Sequence, residues 1–495
     1  MLVDAVKQHT QQQHMSTHTF LWHDYETFGA VPRRDRPAQF AAIRTDADLN
    51  EIGEPVMLYC QPANDFLPDP QSCLITGITP QHCLERGVPE HEFARRIEAA
   101  FSEPGTIGVG YNTIRFDDEV TRFLFWRNLI DPYAREWQHN CGRWDLLDVV
   151  RMVYALRPEG IEWPTREDGK PSFKLEHLSA ANGLAHEAAH DALSDVRATI
   201  ALARLIRDRQ PRLFDFCLEL RRKDRVATEI GLHLDPGQRQ PFLHVSGMFP
   251  VEYGCLGLVY PLAQHPTNKN EVLVWDCRHD PSELFALDAD TIRTRMFTRA
   301  GDLPEGVTRL PIKSVHLNKS PMLVGNLKTL RADLATRWDI DLERGRAHAA
   351  LAAGGPDMRA IWAQVLAKPG AGETVDVDED LYGGFVSRDD RRQLESLRMQ
   401  KPEALARRVS FEDERLNELL FRYRARNFPH TLSEDEMQLW EAHRAARLFE
   451  GAHGARTVDQ LFTEIDALSE TADERAEEIL GALYDYAESI APDRY

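Results

Sequence analysis

The sequence predicts an α/β domain first, then a small β-barrel or sheet domain with appended helices, and an all-helical domain at the end. Three observations carry this. Extended apolar runs broken by Pro, Gly and Asp open the chain and give way to helical spacing around one short apolar strand, the pattern of an α/β domain. Several strand-like pieces then cluster between residues 241 and 318. From about residue 370, apolar residues recur at helical spacing (ELLFRYRARNF, MQLWEAHRAARLF, AEEILGALYDYAESI). A chain of 495 residues is also too long for one ordinary core.

Residues 1–18 read as a polar, disordered leader without the apolar core of a secretory signal, and Met15 opens a sensible protein of its own. Residues 19–62 (TFLWHDYETF, AQFAAIRTD, PVMLYCQP) read as adjacent strands. HEFARRIEAAF at 91–101 is helical and TIGVGYN at 106–112 a strand; helices follow at 117–129, 144–156, 174–182 and 190–207. The α/β domain thus spans 19–208, ending near Arg209-Gln210-Pro211. The pieces PFLHVSGMF, CLGLVYPLA, EVLVWDC and VTRLPIKSVHLN with a helical tail make a second domain, 209–368, and the helical domain is 369–495.

Hydrophobic content of 42% and charged content of 28% are those of a globular protein, and no apolar run approaches the roughly 20 residues of a membrane span. The seven cysteines are scattered and never form a C-x-x-C pair, which argues against a disulfide framework or a zinc site and suits the cytoplasm. A net charge of −20 argues against nucleic acid at first sight, but the charge is uneven: −10 over residues 16–208, +3 over 209–369 and −13 over 370–495. Local charge along a groove, not the total, decides phosphate binding.

Three motifs carry chemistry. In FLWHDYETFG, Asp24 and Glu26 stand two apart on a strand, so their carboxylates share a face and offer hard oxygen ligands for Mg²⁺. Alone, such a pair is more often a solvated edge. In GYNTIRFDDEVTRF, Asp117 opens a helix after an apolar strand; alone, it and Asp118 would read as first-turn carboxylates favoured by the helix dipole. In HDALSDVRATIALARLI, His190 and Asp195 are offset by about 140° on an ideal helix, so they meet at one site only if His190 lies on the lead-in. Four carboxylates and a histidine in this order suit hydrolysis with two Mg²⁺ ions, His190 taking the proton of the attacking water.

These motifs resemble those of the DEDD exonucleases, and with histidine at position 190 the resemblance is to their His branch. The longer stretches DYETFG, GYN…RFDDEVTR, DPYAREWQ, RWDLLDVVRMVYALRPEGI, PSFKLEHLSAANGL, AHDALSDV, PRLFDF, HVSGMF, VHLNKSP, LYGGF and LLFRYRARNFP closely resemble the bacterial exonuclease I family, from about residue 19 to the C-terminus. The resemblance implies a ribonuclease-H-like exonuclease domain, an SH3-like β-barrel domain and a helical C-terminal domain around a channel for single-stranded DNA. It also implies recruitment by the acidic C-terminal tail of single-stranded-DNA-binding protein; no membrane association is expected, and the expected state is a monomer.

Between Arg115 and Trp137, basic and aromatic residues interleave, as in single-strand binders. Phe123, Phe125 and Trp126 read as core. Arg122, Tyr133 and Trp137 stand where the family contacts DNA; Arg151 and Arg157 either join them or line a solvated helix face. Lys174 stands where the family has an arginine on phosphate, keeping the charge without the bidentate fork. Arg422, Arg424 and Arg426 read as a basic stripe, with His316 and Lys319 as weaker contacts. The expected activity is 3′→5′ removal of 5′-mononucleotides from single-stranded DNA. Trimming of RNA 3′ ends by the same site, and a silent single-strand-binding scaffold, are the alternatives.

Overall fold

A computed structural model describes residues 18–185, 191–367, 375–406, 409 and 411–492. The polar leader, His190 and the GAGE linker lie outside the described residues. The chain forms two compact units. The first comprises Met1–Gly142, His186–Arg197 and Glu373–Tyr495; the second comprises Arg143–Ala185 and Ala198–Gly372.

The first unit opens with β1 (Thr19–Thr27), β2 (Pro37–Thr45) and β3 (Val56–Tyr59), followed by α1 (Pro70–Thr76), α2 (Pro80–Arg86), α3 (Glu90–Phe101), β4 (Thr106–Gly110) and α4 (Asp117–Arg127). Strand β1 is central: it runs antiparallel to β2, with Asp24 opposite Ala41 and Glu26 opposite Gln39, and parallel to β4, with Trp22 opposite Val109. Strand β3 extends the sheet beyond β2. Helices α1 and α2 were not read from the sequence. Each starts at a proline behind a capping side chain, Asp69 accepting from Ser72 N and Thr79 from His82 N.

The second unit begins within β5 (Gly142–Asp145) and continues with α5 (Leu146–Leu156) and α6 (Leu175–Ala181). Helix α7 (Ala192–Arg209) starts in the first unit and runs on into the second, which then holds α8 (Pro211–Glu219) and α9 (Lys223–Ile230). Five antiparallel strands follow, β6 (Phe242–Val245), β7 (Leu256–Gln264), β8 (Glu271–Asp276), β9 (Ile312–His316) and β10 (Met322–Val324), in the order β10-β6-β7-β8-β9. Helix α10 (Ala289–Phe297) interrupts them, and α11 (Ala332–Arg337), α12 (Leu342–Ala353) and α13 (Arg359–Val365) close the unit.

The chain then returns to the first unit as α14 (Arg388–Arg398), α15 (Arg415–Asn427), α16 (Glu434–Leu448), α17 (Val458–Ser469) and α18 (Glu474–Ile490). These helices share two apolar cores with the front of the chain. Phe28, Phe66, Leu67 and Cys83 pack with Leu448, Leu461, Leu480 and Leu483; Phe123, Trp126 and Leu129 pack with Leu381, Leu397 and Leu416. The amphipathic stripes legible in the sequence therefore cover the α/β layer as well as one another. All seven cysteines are buried and unpaired. Among the described residues no helix is long and apolar enough to cross a membrane.

Candidate active site

Strand pleating puts Asp24 and Glu26 on one face of β1. Glycine is required where β4 ends: a Cβ on Gly110 would lie 2.6 Å from the His23 carbonyl oxygen and 2.2 Å from the Thr113 methyl, so only a bare backbone passes beside β1 here. The chain then turns into α4. Its first two carboxylates part ways: Asp118 is buried against Arg135 at 2.6 Å, whereas Asp117 Oδ1 accepts the backbone N–H of Tyr25 at 3.1 Å. The Thr121 hydroxyl donates to the Asp117 carbonyl (2.8 Å) and meets the Tyr25 hydroxyl at 3.0 Å, docking the helix onto the strand. Asp195 lies in the first turn of α7, where Asp191 accepts from Ser194 N at 3.1 Å through its side chain and from Asp195 N at 3.0 Å through its carbonyl.

Carboxylate oxygens of Asp24, Glu26 and Asp195 all lie within 4.8 Å of one another. Burial holds the Asp24 carboxyl well above the usual carboxylate range, and Asp117, Glu26, Asp195 and Asp191 push it in the same direction. Burial likewise pushes Glu26 up to about 8, with Asp195, Asp117 and Asp191 adding to it. Like charges forced together in a partly buried pocket are stable only when protonated or neutralised by cations. All the donors are hard oxygens, so the residues present fit a divalent metal. Asp191, a fifth carboxylate acting on the cluster, was missed by sequence reading; its signal was the helix-capping position beside His190.

The other sequence candidates are placed as follows. His190 lies outside the described residues. Arg122 is only 4% exposed and pairs with Glu136 (2.7 Å) and Glu119 (2.6 Å), with the Tyr133 ring 5.2 Å from its guanidinium carbon, so its charge is already matched inside the protein. Trp137 is 63% exposed. Lys174, Arg151 and Arg157 belong to the second unit. There Lys174 is exposed and pairs with Glu176 (3.1 Å), Arg151 pairs with Asp148 (2.6 Å), and Arg157 donates to the Thr329 carbonyl (3.0 Å). His316 lies in β9 and Lys319 just beyond it, in the same unit.

The expected basic stripe in FRYRARNF is corrected. The side chains of Arg422, Arg424 and Arg426 are buried and spent on Asp376 (2.8 Å), Glu436 (2.6 Å) and the pair Asp65 (2.8 Å) and Asp378 (2.5 Å). Basic residues in an acidic helical domain sit inside because acidic partners meet them there.

Comparison with known proteins finds three family matches in succession along the chain. The family described as Exonuclease matches residues 21–203, Exonuclease I SH3-like domain matches 221–368, and Exonuclease I C-terminal domain matches 375–490. Exodeoxyribonuclease I of Escherichia coli is 46% identical over 474 residues, covering 95% of this chain and 98% of the relative. Exonuclease I from Methylocaldum szegediense superposes with a TM-score of 0.90 at 49% identity, covering 96% and 99% of the two chains. The zinc-bound E. coli exonuclease I complex with single-stranded DNA gives 0.87 at 45% (96% and 100%). An SSB/exonuclease I structure with the inhibitor CFAM gives 0.85 at 45% (96% and 100%).

Proposed function

Given that the chain belongs to the exonuclease I family, we propose that it hydrolyses single-stranded DNA from the 3′ end and releases 5′-mononucleotides. The observation that carries this is the cluster of Asp24, Glu26 and Asp195 within 4.8 Å, with Asp117 tied to the amide between the two strand carboxylates.

In this reading Asp24, Glu26, Asp117 and Asp195 hold two Mg²⁺ ions. When bound, they supply the acidity that readies the attacking water and the positive charge that takes up the leaving 3′ oxygen. His190 accepts the proton of that water. Attack at phosphorus breaks the bond to the 3′ oxygen of the preceding nucleotide, so the freed nucleotide keeps the phosphate and the strand keeps a new 3′-hydroxyl. Lys174 and Arg151 contact phosphate, and Tyr133 and the exposed Trp137 stack on bases. Arg122 reaches the strand only by leaving Glu119 and Glu136; while they hold it, it acts by holding α4.

The partner is the acidic tail of single-stranded-DNA-binding protein. A cavity of about 450 Å³ in the second unit suits such a peptide, joining Arg157 and Arg212 to apolar walls from Leu213, Phe216 and Val324. The protein works as a cytoplasmic monomer in DNA repair and recombination.

The test is cleavage of matched 5′-labelled DNA and RNA oligonucleotides. Stepwise shortening of the DNA in Mg²⁺, stopped by EDTA, is the expected result. Faster shortening of the RNA would make the chain an RNA-trimming enzyme instead, and no shortening of either would leave a binding scaffold.

A further inference from the structure

Resting on the nuclease reading above, we propose that the segment Asp376–Tyr382 is a strap that positions the metal-binding carboxylates, with Glu379 and Tyr382 as its positioning residues.

The hairpin loop that joins β1 to β2 leaves the strand after Thr27, one residue beyond Glu26, and the β1–β2 register shifts between Glu26 and Thr27. An irregularity of this kind re-aims the side chains beside it, so the direction of Glu26 depends on the course of the loop. Within the loop, Phe28 N donates to the Arg36 carbonyl (2.9 Å) and the Thr27 hydroxyl to the Gly29 carbonyl (2.6 Å). The Val31 carbonyl also accepts from Asp35 N (2.8 Å) and Val31 N donates to Asp35 Oδ2 (2.7 Å), and further support comes from the far end of the sequence. Arg33 and Arg34 both reach Glu379, at 3.1 and 3.0 Å, and Arg36 reaches Asp378 at 3.0 Å. The Arg36–Asp378 pair is buried on both sides and little screened, whereas Glu379 is buried but Arg33 and Arg34 remain partly in solvent.

The same strap grips α4. The Tyr382 hydroxyl donates to Glu119 Oε2 at 2.5 Å and accepts from Arg122 Nη1 at 3.2 Å, and the Val377 carbonyl accepts from Trp126 Nε1 at 2.8 Å. All three partners lie on the helix that begins with Asp117. One short segment therefore holds both the loop that follows Glu26 and the helix that carries Asp117. It is itself seated by Arg422 on Asp376 (2.8 Å) and by Arg426 on Asp378 (2.5 Å). Groups that orient metal ligands in this way set the affinity of the site.

The test uses full-length protein carrying Glu379→Gln, Tyr382→Phe or both. Mn²⁺ binding to the DNA-free protein is measured by calorimetry, alongside the Mg²⁺ dependence of cleavage, KM for a single-stranded oligonucleotide and the melting temperature. In the double variant the Mn²⁺ Kd and the Mg²⁺ midpoint both rise about tenfold, while KM and the rate at saturating Mg²⁺ stay near wild type. Glu379→Asp, which keeps the charge, recovers part of the affinity. A folded double variant with wild-type Mn²⁺ affinity would overturn the proposal. If the double variant fails to fold, Tyr382→Phe decides: it removes one hydroxyl from a half-exposed ring, and unchanged Mn²⁺ affinity there overturns the proposal equally. Wild-type protein that binds Mn²⁺ but cleaves no DNA refutes the nuclease reading and leaves the strap measurable.

Discussion

The Asp117 carboxylate accepts a hydrogen bond at 3.1 Å from the backbone N–H of Tyr25, the residue between Asp24 and Glu26. The strand that supplies two carboxylates thus fixes the third. Removing one carboxylate should cost metal without costing the fold. Asp24→Ala and Asp195→Ala are expected to abolish cleavage in Mg²⁺ while single-strand binding, measured by fluorescence anisotropy, persists. Near-normal turnover in either variant would remove that residue from the metal site.

The raised carboxyls give a stability signature in the metal-free protein. Glu26 titrates near 8 in the fold against an ordinary value of 4.5, and Asp24 moves the same way. Between those two pH values the folded state holds a proton that the unfolded chain has lost. Stability contributed by the protonated group therefore falls as pH rises through this window. In EDTA, Glu26→Gln should melt a few degrees above wild type at pH 8, with the gap closing toward pH 5. Saturating Mg²⁺ should reverse the order at pH 8. A gap that does not change with pH contradicts the clustering.

His190→Asn should slow cleavage by about 10²–10⁴, the usual effect of losing a positioned general base. Mn²⁺ binding should be unaffected, since four carboxylates provide the ligands. Single-turnover rates across pH 6 to 9 check this; an unchanged rate at neutral pH would leave the water's proton to another group.

Arg426 stands between Asp65 and Asp378, and its positive charge helps hold both carboxyls well below the usual range. Arg426→Ala leaves both carboxylates buried without that partner and should cost about 3–5 kcal/mol, read by urea unfolding. The salt dependence of DNA binding should keep its slope, because this arginine meets no phosphate. A shallower slope with unchanged stability would restore the surface-stripe reading.

The clustering carboxylates were legible because order, spacing and element type were all visible: Asp24 and Glu26 at strand period, Asp117 after an apolar strand, Asp195 in a helix start. The strands and helices between them followed from hydrophobic period. What periodicity cannot say is what a buried stripe packs against, so the pairing of Leu480 and Leu483 with Phe28 and Leu67 was invisible. Nor can one-dimensional charge tell a solvated arginine from a paired one, which is why Arg422, Arg424 and Arg426 misled. The Pro-led helices after Asp69 and Thr79 are seven residues each, too short for a periodic signal, and only their caps announced them.

The core that joins Phe28 and Leu67 to Leu461 and Leu483 also sets a timetable for synthesis. A ribosome that has made the whole acidic cluster, through Asp195, has yet to make the helices that cover its scaffold. At ordinary elongation speeds, the stretch from Asp376 to Ile490 takes on the order of ten seconds to appear. During that interval the nascent nuclease has its acidic residues but lacks the strap and the helices that complete two of its cores. Chains stalled near Gln210 should be protease-sensitive and should keep only some cleavage, releasing DNA after few steps, so sustained digestion is expected only once the finished chain has left the machinery that makes it.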